Sequence, residues 1–160
     1  MKRTILILSV LFLMTTSTLA QTNSLAGTWM LTAADVIKPE GTRTQDYGPE
    51  PHGLLIFTPD GHYMLEIYRV TRVKFSDNDK FHGTPEEYKD IFLGMSCHFG
   101  TYVADIEKGT ITFKIDSASF SNWDGTTQVR SFTLKGDELS WRVPARPDGS
   151  IPVSTFKRAR

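Results

Sequence analysis

Short runs in which polar and apolar residues alternate recur along the chain and predict β-strands. In the stretch TTQVRSFTL, residues 126–134, Gln128, Arg130 and Phe132 face one way and Val129 the other, because successive strand side chains point to opposite faces of a sheet. Seven further stretches predict strands: 25–34, 53–58, 62–70, 96–104, 110–116, 139–143 and 151–158. Eight short strands in one small domain are typical of an all-β barrel or sandwich.

Turn residues separate most of these strands by only a few positions. Thr58-Pro59-Asp60-Gly61 has Pro at the second and Gly at the fourth position, as a type I turn prefers. Glu107-Lys108-Gly109 and Lys135-Gly136-Asp137 provide similar turns. Such short connections predict antiparallel neighbours and therefore an up-and-down meander.

Two connections are longer. Residues 38–53 are rich in Pro and Gly and predict an irregular loop, either on the surface or as a lid over an opening. The second connection ends in a helix, because Thr84, Pro85 and Glu87 form a capping box with Pro at the first helical position. An apolar stripe follows at helical spacing: Tyr88, Ile91, Phe92 and Met95. We expect this short helix, before the fourth strand, to pack on the barrel or plug one end.

The first 20 residues have the layout of a secretory signal peptide. Lys2 and Arg3 precede an apolar run from Ile5 to Met14, and small and polar residues follow as far as Ala20. The apolar run is much shorter than the roughly 20 residues that cross a bilayer. We therefore expect cleavage after Ala20, a single barrel domain over residues 21–160, and a soluble protein exported to the periplasm or outside the cell, with no membrane insertion.

Composition excludes several classes of function. Removal of Lys2 and Arg3 leaves 16 basic against 18 acidic residues, a net charge of −2, which does not favour nucleic acid as a partner. Cys97 is the single cysteine, so no intrachain disulfide forms. The four histidines lack the spacing of a metal site, and no glycine-rich phosphate loop is present. No metal or cofactor is expected.

Several segments resemble a known family. Gly27-Thr28-Trp29 resembles the Gly-x-Trp signature of lipocalins, and three pieces resemble the bacterial and fungal lipocalin-like domain family: GLLIFTPDGHYM (53–64), HFGTYVADIEKGTIT (98–112) and NWDGTTQVRSFTL (122–134). The resemblance implies an eight-stranded antiparallel barrel that holds one small hydrophobic molecule. It also implies that an Arg from a late strand packs on Trp29 and closes one end, a role for which Arg158 and Arg130 both qualify. His98 stands where the family usually has Tyr.

The candidate pocket follows from side chains that share a strand face. His98, Gly100 and Tyr102 lie on one face, and Gly100 leaves either a gap for a ring or a bend in the strand. Arg130 either stabilises the fold or holds a carboxylate or carbonyl of a ligand. The predicted ligand-binding residues are Tyr63, Glu66, His98, Tyr102, Trp123 and Arg130, with Trp29 and Arg158 at the closure. A small number of polar groups that converge in an aromatic setting is typical of small-molecule sites.

Three functions fit this pattern, and the first is preferred. The chain is an exported binding protein for a small hydrophobic molecule; or an isomerase- or cyclase-type enzyme with Glu66 or His98 as base; or a barrel filled by its own side chains that acts through its surface. Glu66 acts as a base only if its strand face looks inward, whereas an outward face places it in solvent. The ligand, the oligomeric state and any catalysis do not follow from the sequence.

Overall fold

A computed structural model describes residues 25–160, in which nine antiparallel strands form one sheet. The strands are β1 (Gly27–Ile37), β2 (Arg43–Thr44), β3 (His52–Phe57), β4 (His62–Tyr68), β5 (Met95–Asp105), β6 (Thr110–Ala118), β7 (Thr127–Lys135), β8 (Glu138–Arg142) and β9 (Ile151–Arg158). β1 pairs with both β3 and β9, so the eight longer strands close into a barrel. The two-residue β2 extends the sheet beside the end of β1. The predicted eight-stranded up-and-down barrel is confirmed.

The predicted connections explain this order. The turn at Thr58–Gly61 closes with a hydrogen bond from the Gly61 amide to the Thr58 carbonyl, and it joins β3 to β4 in register. Gly100 lies where the pairing of β5 with β6 shifts register. A Cβ at this position would overlap the Lys114 carbonyl oxygen, so the two backbones approach too closely for any side chain. The glycine in HFGTY therefore serves barrel curvature.

One helix, α1 (Pro85–Leu93), precedes the fourth barrel strand, β5. Its capping box is formed as predicted: the Thr84 side chain accepts from the Glu87 amide, and the Glu87 side chain accepts from the Thr84 amide. No residue of α1 is fully buried, and Phe92 is half exposed. The helix therefore lies on the outside, which agrees with the expectation that it packs on the barrel and not with the alternative that it plugs one end.

Aromatic side chains fill one half of the barrel interior. Phe57, Phe113, Trp141 and Phe156 are almost fully buried, and neighbouring rings among them contact edge to face or tilted. Trp29 lies at the end of this half, where β1 pairs with Leu55 of β3 and Arg158 of β9. This aromatic end is called the filled half.

Arg158, and not Arg130, closes the filled half. Its guanidinium carbon lies 4.0 Å from the centroid of the Trp29 ring, and Nη1 donates a 2.8 Å hydrogen bond to the Ala26 carbonyl. A cation over an indole face is stabilising, and the carbonyl satisfies one of its donors. The alternative left open by the sequence is thus resolved, and Arg130 is not part of the closure.

The predicted signal peptide, residues 1–20, and the domain start at residue 21 lie outside the described residues. Within residues 25–160, no helix has the length and apolar character of a membrane-spanning segment.

Candidate functional site

The half of the barrel opposite Trp29 contains a cavity of about 460 Å³. Its position follows from the register: it is lined by the final residues of β1 and the first residues of β9, whereas Trp29 and Arg158 lie at the other ends of these strands. The volume lies in the range of sites for small molecules, roughly 300 to 1,000 Å³. This end is called the hollow half.

Apolar side chains form much of the cavity wall. Leu65 and Ile67 on β4 contribute the inward face of that strand, and Phe120 and Trp123 come from the β6–β7 connection. Trp123 also packs edge to face on the His98 ring, with centroids 5.9 Å apart. The wall therefore suits a ligand with a large apolar body.

A chain of polar side chains lies between the cavity and the filled half. The Tyr63 hydroxyl is 2.8 Å from His98 Nδ1, and His98 Nε2 is 3.2 Å from Arg130 Nη2. Arg130 Nη2 also donates to Gln128 Oε1 at 2.9 Å. Strand alternation brings these groups together, since β4, β5 and β7 each turn the relevant residue inward. His98, Gln128 and Arg130 line the cavity directly.

The donors and acceptors fix the tautomer of His98. A guanidinium only donates, so His98 Nε2 must accept from Arg130 and the ring proton resides on Nδ1. Nδ1 then donates to the Tyr63 hydroxyl. Burial, and secondarily the charge of Arg130, lower the pKa of His98 from 6.5 to about 3. His98 is therefore a neutral imidazole with both nitrogens in hydrogen bonds.

Arg130 is the buried cation of the site. Only 2% of the residue is exposed, and its guanidinium carbon lies 4.8 Å from the Phe113 ring centroid and 5.4 Å from that of Trp141. Burial lowers its pKa to about 10, so it remains a cation at neutral pH. The Nε atom is buried and has no hydrogen-bond partner among the described residues. Arg130 therefore joins the aromatic packing of the filled half to the polar floor of the hollow half.

Two loops border the cavity mouth, and an ion pair connects them. Arg146, in the β8–β9 connection, lies 3.3 Å from Asp46 in the β2–β3 connection, part of the segment 38–53 that was predicted as one irregular loop. Tyr47 of this second loop lines the cavity, and burial raises the pKa of its phenol. On β1, Asp35 also lines the cavity and pairs with Arg43 at 3.2 Å. The loop predicted as either surface or lid thus contributes a wall residue at the opening.

The predicted site residues divide into three groups. His98, Trp123 and Arg130 line the cavity, and Tyr63 joins them through its hydrogen bond to His98. Tyr102 belongs to the filled half: its ring lies 4.3 Å from that of Phe57, and its hydroxyl donates to the Thr58 carbonyl.

Glu66 lies on the outside of the barrel. It alternates with the buried Leu65 and Ile67, and its carboxylate accepts a 3.3 Å hydrogen bond from the Tyr68 hydroxyl on the same outer face. The structure therefore does not bring Glu66 or Tyr102 to the cavity.

Several cavity residues were missed from the sequence. Tyr47, Pro144, Arg146 and Pro147 lie in irregular segments, and Asp35 lies near the end of a strand that the pattern ended at residue 34. The Val-Pro-Ala-Arg-Pro segment at 143–147 carries a weak signal, because its two prolines each fix a backbone φ angle and so restrict the path of this connection.

Two of the solved structures that match this chain show similarity at low sequence identity. The chain is similar to a lipocalin-like protein from Bacteroides uniformis, with 15% identity, 84% of this chain and 98% of that chain covered, and a TM-score of 0.43. It is also similar to a variant of the fluorescent protein UnaG, with 16% identity, coverage of 84% and 96%, and a TM-score of 0.37. The search of curated proteins gave no match.

The family model described as lipocalin-like domain matches residues 26–159, which confirms the resemblance expected from the sequence. Because the match runs from the strand of Trp29 through the strand of Arg158, the chain belongs to the lipocalin-like domain family.

Proposed function

We propose that this protein binds one small, largely apolar molecule in the hollow half of its barrel, and that it does so as an exported carrier. The observation that supports binding is the cavity of about 460 Å³, walled by Leu65, Ile67, Phe120 and Trp123 and floored by the polar chain that ends at Arg130. A site with apolar walls and a few fixed polar groups is the usual form of a small-molecule pocket.

The geometry favours binding over catalysis. Both nitrogens of His98 are engaged, and its lowered pKa makes it a weak base at neutral pH. Glu66, the other candidate base, faces outward beside Tyr68. The enzyme hypothesis needs Glu66 or His98 as a base at the cavity. Glu66 does not reach the cavity, and His98, which does, is a weak base. The filled-barrel hypothesis describes the Trp29 end but not the end that contains the cavity.

Native mass spectrometry of protein purified from its own source tests the binding proposal. We expect an adduct that dissociates on denaturation and is then identified by liquid chromatography and mass spectrometry. The variant Ser96→Trp places an indole in the cavity wall and should remove the adduct, because the occupied volume is lost. Val129→Trp, on the outer face of β7 with Val129 55% exposed, is the matched control and should retain it.

Two results contradict binding: wild-type protein without any adduct that also takes up no apolar dye, or equal adducts in both tryptophan variants. The export part of the proposal is tested separately by sequencing the N-terminus of the protein recovered outside the cytoplasm. A chain that begins at Gln21 supports it, and a chain that retains residues 1–20 contradicts it.

A further inference from the structure

Arg130 carries a positive charge that no acidic side chain of the described residues neutralises. The ion pairs within residues 25–160 involve other cations, and none includes Arg130. A buried cation without a counterion is costly, which is why buried arginines are ordinarily paired with carboxylates. Its aromatic neighbours, Phe113 and Trp141, offset part of this cost through cation–π contacts.

Among the described residues that line the cavity, Asp35 is the one carboxylate, and it is already paired, as is Asp46 beside the mouth. Asp35 pairs with Arg43, and Asp46 pairs with Arg146. Tyr63, the remaining acid in the polar chain, has a pKa raised by burial and so keeps its proton at neutral pH. The polar floor therefore contains one cation, one neutral imidazole and one amide, with no anion from these side chains.

The guanidinium is also held in a fixed orientation. Nη2 donates to Gln128 Oε1 and to His98 Nε2, and His98 is itself held by Tyr63. Nε makes no hydrogen bond within the described part of the chain. A planar donor group that is oriented by neighbours and retains donor capacity is suited to an oxyanion, since Arg binds carboxylates with charge-assisted hydrogen bonds.

We propose that the bound molecule is an organic acid, with an apolar body in the hollow half and a carboxylate paired with Arg130. This inference rests on the proposed binding function and specifies the ligand class. The rival cation at the cavity is Arg146, but it lies at the mouth, its side chain is 42% exposed, and it is paired with Asp46. Arg130 is the buried one, so a ligand carboxylate there interacts in a drier environment and binds more strongly.

Two fluorescent probes with the same body separate the charge from the apolar contact. Pyrenebutyric acid and pyrenebutanol differ in carrying a carboxylate or a hydroxyl on the same pyrene and linker. At neutral pH we expect wild-type protein to bind the acid at least about tenfold more tightly, because a buried charge-assisted hydrogen bond is stronger than a neutral one. Equal affinity for the two probes would overturn the inference and leave the binding function intact. Failure of both probes to bind would instead contradict the binding function.

Variants then assign the preference to a residue. Arg130→Gln removes the charge and should abolish the preference for the acid while pyrenebutanol still binds. Arg130→Lys keeps the charge without the planar donors and should retain part of it. Arg142→Gln, on the exposed face of β8, is the control and should behave as wild type.

If Arg146→Gln abolishes the preference and the Arg130 variants do not, the assignment to Arg130 is wrong. Circular dichroism and thermal unfolding check that each variant is folded. The comparison of the two probes on wild-type protein does not depend on the variants.

Discussion

Two arginines pack on aromatic rings in the two halves of the same barrel, and their surroundings differ. Arg158, in the filled half, lies over Trp29, donates to the Ala26 carbonyl, and has Asp137 3.9 Å away. Its side chain is 29% exposed, so water reaches it as well. Arg130, at the floor of the hollow half, also lies over aromatic rings but has neither a carboxylate nor appreciable contact with water.

Under the proposed function, the difference separates a cation that serves the fold from one that serves the ligand. Arg158 finds its partners within the chain, so its interactions are complete when the barrel closes. Arg130 is oriented by Gln128 and His98 but finds no opposite charge within residues 25–160, and it lies beside a space large enough for a ligand. A residue type alone does not distinguish the two roles, whereas the charges around each residue do.

The largest expected effect is the loss of stability when the filled half loses its indole. Trp29 is fully buried, and its Nε1 donates to the Leu25 carbonyl at 2.9 Å. Trp29→Ala creates a large cavity and should lower the free energy of unfolding by about 3–5 kcal/mol. Urea denaturation monitored by circular dichroism measures the change.

The matched variant is Trp123→Ala in the hollow half. Trp123 is half-buried at the cavity, so its loss should cost clearly less stability than that of Trp29 and should weaken pyrenebutyrate binding. Equal losses of stability in the two variants would mean that the two halves are equally well packed.

A second, somewhat smaller loss of stability is expected when the pH is lowered. The folded protein holds the pKa of His98 near 3, below its ordinary 6.5, because the ring is buried beside Arg130. Between these pH values the unfolded chain binds a proton that the folded chain does not, so stability falls as the pH falls. From pH 6.5 to 4 this amounts to about 3 kcal/mol, at roughly 1.4 kcal/mol per pH unit for one proton.

His98→Gln isolates this contribution, since the Gln amide can accept from Arg130 and donate to Tyr63 without titrating. Neither Arg130 nor Tyr63 changes charge in this pH range, because the pKa of Arg130 is about 10 and that of Tyr63 is raised. Urea denaturation at pH 7, 5.5 and 4 should show a shallower decline for the variant. Parallel declines would mean that His98 is already protonated, or that it is not buried, in the folded protein.

The faces of the strands were more predictable than the cavity, for a physical reason. Strand alternation places Tyr63, Leu65 and Ile67 on one face and Glu66 on the other, but it left open which face points inward. It also places Arg158 on the same face as Phe156. Which of Arg158 and Arg130 reaches Trp29 depends on pairing between the first and last strands, and the register Trp29 to Arg158 decides it.

The cavity itself depends on the volume that side chains from eight strands leave unoccupied, and no local pattern encodes that sum. Alternation predicts that Tyr102 faces inward, and it does, but only the three-dimensional packing on Phe57 shows that it belongs to the filled half. Tyr47 and Arg146 reach the mouth from irregular loops, whose paths depend on tertiary contacts such as the pair of Arg146 with Asp46.

The smallest expected effect concerns Arg158 and tests directly whether it differs from Arg130. Arg158→Met keeps the apolar length of the side chain and removes the cation–π contact with Trp29 and the hydrogen bond to Ala26, so it should cost about 1–2 kcal/mol of stability. Arg160→Met is the control: Arg160 shares Asp137 at 3.7 Å, but its side chain is 89% exposed, and such surface pairs contribute little.

In both variants the ratio of pyrenebutyrate to pyrenebutanol affinity should equal that of wild type, because neither residue lines the cavity. A change of that ratio in Arg158→Met alone would show that the two ends of the barrel are coupled, and that closure at Trp29 also sets the position of Arg130.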